Sequence, residues 1–306
     1  MQKQKFYIYS FYRFFRLKNK KSIKEKFDNY LKDKIVRGTI LLADEGINAT
    51  ISASEEDLKN IVKYFKNQLN LRKLEIKISK TNFLPFNRIK VRLKNEIVTM
   101  GIKELDVKKY KAKDILPENW DDFVKDKNVK IIDTRNMYEI KIGKFQNSIN
   151  PKTNSFREFP KKLARLKINK KDKLAMYCTG GIRCEKASAY LKTKGYKNIF
   201  QLKGGILNYL DFKKNKKQIS LWSGECFVFD ERVTVNDNLL KGKYLQCYGC
   251  RQPITKRDTL NKKYIKGVCC PNCFEKRTYD QKSRSASRQK QIEISKKRGY
   301  PNIFLK

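Results

Sequence analysis

The stretch KLAMYCTGGIRCEKASAYLK, residues 173–192, decides the reading of this chain. Lys173–Tyr177 is a short, mostly apolar run with strand character. Cys178-Thr179-Gly180-Gly181-Ile182-Arg183 is a glycine-containing loop, and residues 185–194 carry a helical pattern. A loop placed between a strand and a helix is an anion cradle. Gly180 and Gly181 allow backbone conformations that turn several N–H groups inward, the helix N-terminus adds partial positive charge, and Arg183 adds a full one. A thiol held there, at Cys178, loses its proton more easily than a free cysteine of pKa about 8.5. A buried cysteine before a tight turn is the plainer alternative, and the strand–loop–helix setting makes it the weaker one.

Working outward, Val129–Ile132 is a strand that ends in Asp133-Thr134-Arg135. Ile199–Leu202 is a third strand, followed by a Gly204-Gly205 turn and a helix from Ile206. Strands alternating with helices over residues 118–218 predict a mostly parallel sheet with its site at the strands' carboxyl ends. The Lys-rich, weakly periodic residues 101–117 read as a linker. Residues 1–100 predict a strand over 5–12, a helix opened by the capping box Ser22 to Glu25, and strands over 38–43 and 47–52. A helix capped by Ser54, with Leu58, Ile61, Val62 and Phe65 on its apolar stripe, and a strand over 74–78 complete them. The order β-α-β-β-α-β is the ferredoxin-like arrangement. The fold class is thus a multidomain α/β and α+β chain closed by a small cysteine-bearing, basic segment, 219–306. The aromatic first strand invites an RNA-stacking reading. However, the RNA-binding pattern needs aromatics on a central strand, and GTILLADE (38–45) has none, so residues 1–100 read as a scaffold open to RNA contacts but without a defined site.

Composition narrows the chemistry. There are 72 Lys and Arg against 31 Asp and Glu, a net charge of +41 over 306 residues. That excess suits a polyanionic partner, nucleic acid first, although a general bias toward Lys would also produce it. The chain contains no histidine, which excludes Ser-His-Asp and Cys-His pairs and every His-ligated metal. The N-terminus has no uninterrupted apolar core of a signal peptide, and no apolar run approaches the roughly 18 residues of a membrane helix. A cytoplasmic chain whose eight cysteines are reduced thiols or metal ligands is expected.

The segment YCTGGIRCEKASAYL (177–191) resembles the active loop of a rhodanese domain, as do IIDTRNMYEIKIGKFQNSINP (131–151) and GYKNIFQLKGGILNYL (195–210) around it. Four residues separate Cys178 from Arg183, as in sulfurtransferase-type loops; related cysteine phosphatases have five. One departure is Gly143-Lys144-Phe145, where rhodaneses commonly have Gly-His-Ile. Further motifs, ADEGINATIS (43–52), NPKTNSFREFP (150–160) and LWSGECFVFDERV (221–233), are similar to the bacterial tRNA uridine(34) hydroxylase family across essentially the whole chain. That resemblance implies oxygen-dependent formation of 5-hydroxyuridine at the wobble position, with O2 as substrate and tRNA, through its anticodon region, as partner. No flavin, haem or His-iron motif and no obligate protein partner is evident. By position, Cys178 is the catalytic cysteine, as a thiolate or persulfide, and Arg183 with the amides of Thr179, Gly180, Gly181 and Ile182 stabilises its charge. Asp133 and Arg135 either order the loop or face the substrate, or else form a strand-ending ion pair. Cys184 reads as a small residue packed at the helix start, its sulfur held away from Cys178 by the loop, with a resolving thiol as the alternative.

Cys247-x-x-Cys250 and Cys270-x-x-Cys273, 19 residues apart, fit a four-cysteine structural zinc site. Reduced thiols held by packing are the alternative. Residues 281–306 carry eight Lys and Arg against one Glu. Lys282, Arg284, Arg288, Lys290, Lys296, Lys297 and Arg298 make a candidate phosphate-binding arm. A persulfide sulfurtransferase is the alternative enzyme, since it needs the same loop. A non-catalytic RNA-binding module is the third reading.

Overall fold

The computed structural model describes residues 5–102 and 104–299. The chain divides into two compact units. The first comprises residues up to Cys226 with Asp237–Leu239, and the second comprises Phe227–Asn236 with residues from Leu240 onward.

The first unit opens with β1 (Phe6–Phe14), α1 (Lys20–Leu31), β2 (Arg37–Ala43), β3 (Gly46–Ala53), α2 (Glu55–Gln68) and β4 (Ile76–Thr81). They form a sheet in the order β4-β1-β3-β2, the ferredoxin-like pattern, and β5 (Ile89–Leu93) extends it in parallel beside β2. The sequence pattern misses β5. Ser54 caps α2 as expected, its hydroxyl accepting from the Asp57 amide at 3.1 Å. Ser22 caps nothing: α1 starts earlier, after Asn19 in the left-handed conformation. The strand expected over 74–78 begins at Ile76, where pairing with Phe11 starts.

β1 is buried on both faces, which is why aromatic residues occur on both. Tyr9 and Phe11 join the core under α1 and α2. Tyr12 and Phe14, on the opposite face, pack with Ile97, Val98, Leu105, Val107, Ile182 and Ala189. That second cluster joins the first domain to the next one.

The second α/β domain contains β6 (Lys113–Ile115), α3 (Pro117–Lys125), β7 (Val129–Asp133), α4 (Met137–Ile140) and β8 (Gly143–Phe145). It continues with α5 (Phe159–Leu163), β9 (Lys173–Tyr177), α6 (Ile182–Thr193), β10 (Ile199–Leu202) and α7 (Gly205–Lys216). Its sheet is parallel, in the order β6-β10-β9-β7. Two boundaries move from their expected places. Residues 113–117 are β6 and the start of α3, and Met100, Leu105 and Ala112 pack in the domain cores, so 101–117 is not a solvated linker. At the other end, β11 (Trp222–Gly224) pairs antiparallel with β8, so residues just past 218 belong to this domain as well. Phe145, the departure noted above, is buried against Trp120, Tyr177, Tyr209 and Trp222.

In the second unit, short strand pairs and turns carry the cysteines, and α8 (Tyr279–Lys297) follows, opened by a Thr278/Gln281 capping box. It carries most of the basic residues of the expected arm.

Candidate active site

β9 is the central strand next to the site, and its last residue delivers Cys178 to the sheet's carboxyl edge with no solvent exposure. The loop then turns through Gly181 at φ +99, where a Cβ would lie 2.8 Å from the Tyr12 hydroxyl, so glycine is required there. The Gly181 amide donates to Cys178 Sγ at 3.0 Å. Gly205 is the second enforced glycine: at φ +71, its Cβ would lie 2.4 Å from the Cys178 carbonyl oxygen. This close approach lets the start of α7 secure the loop, through the amides of Ile206 and Leu207 to the carbonyls of Cys178 and Thr179.

Burial alone pushes the Cys178 thiol up. The Cys184 thiol hydrogen bond, the Arg183 charge and the amides of Cys184 and Gly181 outweigh it, and the thiol falls well below the ordinary cysteine range. The Cys184 thiol is correspondingly pushed well up, by burial and by its neighbour. This corrects the sequence expectation: the loop brings the two sulfurs together instead of separating them. Thr134 Oγ1 contacts Cys184 Sγ at 3.5 Å from the other side.

Arg183 does not face the sulfur with an undivided charge. Both of its terminal nitrogens bond Glu139, at 2.6 and 2.8 Å, and Thr179 Oγ1 accepts from it at 3.2 Å. Burial pushes the Glu139 carboxyl up, but Arg183 and then Arg135 hold it below the usual carboxylate range. Glu139 is fully buried, caps α4 through the Asn136 amide, and was missed in the sequence. Its only local signal was the Asn136-x-x-Glu139 capping pattern.

Asp133 and Arg135 are fully buried and grip each other in a two-point ion pair, at 3.0 and 2.6 Å. Arg135 also donates to the carbonyls of Gly143 and Glu139, and its guanidinium lies 4.9 Å over the Trp222 ring. The pair thus ties β7, α4 and β8 together behind the loop, as a strand-ending ion pair would.

The first domain supplies the other wall. Tyr12 donates to Glu185 at 2.8 Å, and the Lys77 ammonium donates to the Gly180 carbonyl. Lys186, buried one turn into α6, bridges Glu45 and Glu96 at 2.7 and 2.5 Å.

In the second unit, the sulfurs of Cys247, Cys250, Cys270 and Cys273 all lie within 4.8 Å of one another. Contacts of 3.9 Å (Cys247–Cys273), 3.9 Å (Cys250–Cys270) and 3.8 Å (Cys270–Cys273) match the edge of about 3.8 Å of a tetrahedron with zinc–sulfur bonds of about 2.3 Å. Cys269 points elsewhere, toward the Lys263 carbonyl. On α8, Arg284, Lys290, Lys296 and Lys297 are exposed, as is Arg298 just past its end. Lys282 instead lies 4.0 Å over the Phe274 ring, and Arg288 donates to the Tyr248 carbonyl, so these two hold the helix in place. The last residues of the expected arm, 300–306, lie outside the described residues.

Comparison with known proteins agrees with this architecture. Residues 6–97 match the UPF0176 acylphosphatase-like domain, and residues 116–211 match the rhodanese-like domain. Among solved structures, a rhodanese-related protein from Thermoplasma volcanium is 26% identical over 33% of this chain and 92% of its own, with a TM-score of 0.27. A rhodanese-like domain protein from Staphylococcus aureus is 24% identical over 32% of this chain and 90% of its own, with a TM-score of 0.28. Much nearer is the tRNA uridine(34) hydroxylase of Pelagibacter ubique, 47% identical over 98% of this chain and 99% of that protein. With both domains and nearly every residue accounted for, the chain belongs to the tRNA uridine(34) hydroxylase family.

Proposed function

We propose that this protein hydroxylates uridine 34 of tRNA to 5-hydroxyuridine, as an oxygen-dependent oxidoreductase with Cys178 as nucleophile. The observation that carries this reading is the end-to-end relationship to a tRNA uridine(34) hydroxylase. The site supports it with suitable chemistry. A thiolate is the form of cysteine that attacks an electron-poor carbon, and the cradle around Cys178 favours that form. Addition to C6 of uracil makes C5 electron-rich and able to take an oxygen atom, and expulsion of the thiolate then restores the ring. Replacing the C5 hydrogen by hydroxyl with one atom of O2, and reducing the other to water, consumes an electron pair from a donor. The base has to leave the anticodon stack to reach the thiol. The exposed Arg284, Lys290, Lys296, Lys297 and Arg298 are suited to the tRNA phosphates.

Nucleoside mass spectrometry of tRNA from cells with and without the gene tests this. Loss of 5-hydroxyuridine and its derivatives is expected. Loss of a thiolated nucleoside, with hydroxylation intact, would instead establish the persulfide sulfurtransferase.

The cysteine unit is inferred to hold one structural zinc ion on Cys247, Cys250, Cys270 and Cys273, because its sulfur spacings are those of a tetrahedral site. Metal analysis of purified protein should find about one zinc per chain. Cys250→Ser should lose it, together with the cooperative unfolding of this unit. A metal-free, cooperatively folded unit overturns the inference.

A further inference from the structure

Within the rhodanese-like domain, the cradle offers the Cys178 thiol one cation, a neighbouring thiol and two amides. Arg183, its own cation, is shared with Glu139 through both terminal nitrogens. A second cation reaches the cysteine loop from the other domain. Lys77, on β4 of the ferredoxin-like sheet, reaches the loop: its ammonium donates to the Gly180 carbonyl, and a Cβ on Gly180 would lie 3.4 Å from its nitrogen. The ammonium is enclosed although the stem is partly open to solvent. Among the described residues, no carboxylate lies within ion-pair distance of Lys77. Its other close contact is the Tyr12 ring, 5.6 Å away.

We propose that Lys77 is a positioning residue that supplies the counter-cation of the Cys178 thiolate, which makes the thiol site a composite of both domains. The groups facing this pair are few. On α6 are Arg183, already paired with Glu139, the neutral Cys184 thiol, and Glu185, which accepts from Tyr12 of β1. Lys203 nearby is tied to Glu75 and Asp114. Burial outweighs the opposing charge on Cys178 and lowers the Lys77 ammonium to about 8. Lys77 is therefore protonated at neutral pH and gives up its charge as the pH rises through about 8.

The proposal rests on Cys178 being the reacting thiol, and its test needs neither tRNA nor oxygen, so the two can fail separately. Ultraviolet thiolate absorbance is followed against pH in the full chain, and that of the matching Cys178→Ser chain is subtracted from it. Lys77→Met should raise the Cys178 midpoint by about one pH unit or more, the effect of one close opposite charge. Lys77→Gln, which keeps a polar tip for the Gly180 carbonyl, should do the same, and Lys77→Arg should restore a midpoint near that of the unsubstituted chain. A lid or packing role alone leaves the midpoint unmoved. An unchanged midpoint in the folded Met and Gln variants, or equal shifts in all three, overturns the assignment.

Discussion

Glu139 shows most clearly what a residue contributes here and what a sequence conceals. It lies 44 positions from Arg183, with only a capping pattern to mark it, yet it takes both ends of the loop arginine. The loop itself was legible because its meaning is local: strand, glycines, thiol and helix follow one another between residues 173 and 194. Glu139 and Lys77 were not, because only folding brings them to the loop from 44 and 103 residues away. The proximity of Cys184 to Cys178 was misjudged for a related reason, since it depends on how tightly Gly181 turns. Glu139→Gln leaves Arg183 buried without its countercharge, and unfolding measurements should show a loss of about 3–5 kcal/mol. The pH dependence has a definite sign. Arg183 and Arg135 hold Glu139 ionised below the usual carboxylate range, so its contribution is present at neutral pH. It fades as the pH falls below about 4, and the Gln variant should lack that acid limb.

At the scale of elements, α6 joins the two domains. Its first turn makes the cradle, and its next turn carries Lys186 into a clamp with Glu45 of the β2–β3 turn and Glu96. Burial pushes Glu96 up, but Lys186 and the amides of Met100 and Gly101 hold it below the usual range. Lys186→Met removes a fully buried cation from two carboxylates and should cost about 3 kcal/mol or more in chemical denaturation. Glu45→Gln or Glu96→Gln should each cost less, since one carboxylate still pairs with the lysine; equal losses in all three would count against the clamp. The two-sided burial of β1 belongs to the same scale. Its alternation was obscured because both faces are apolar, one toward α1 and α2 and the other toward the neighbouring domain. Within 101–117, Leu105, Val107 and Ala112 pack into the neighbouring cores, which the Lys-rich composition around them conceals.

Over the whole molecule, the charge of +41 gains meaning from a tRNA-modifying family. The tail helix and its C-cap residue Arg298 add five exposed cations to it. Neutralising Lys296, Lys297 and Arg298 together should flatten the salt dependence of tRNA binding, lowering the slope of log K against log salt by about 2–3. An unchanged slope would assign that role to other surfaces. The absence of histidine constrains the chemistry more sharply than the charge does, because it removes every His-based nucleophile pair and every His-ligated metal. The most direct measurement is nucleoside mass spectrometry of tRNA from cells lacking the gene, supplied either with the unaltered chain or with Cys178→Ser at equal protein level. The account predicts that 5-hydroxyuridine returns with the first and stays absent with the second. Its return with the serine chain would contradict a hydroxylase that works through Cys178.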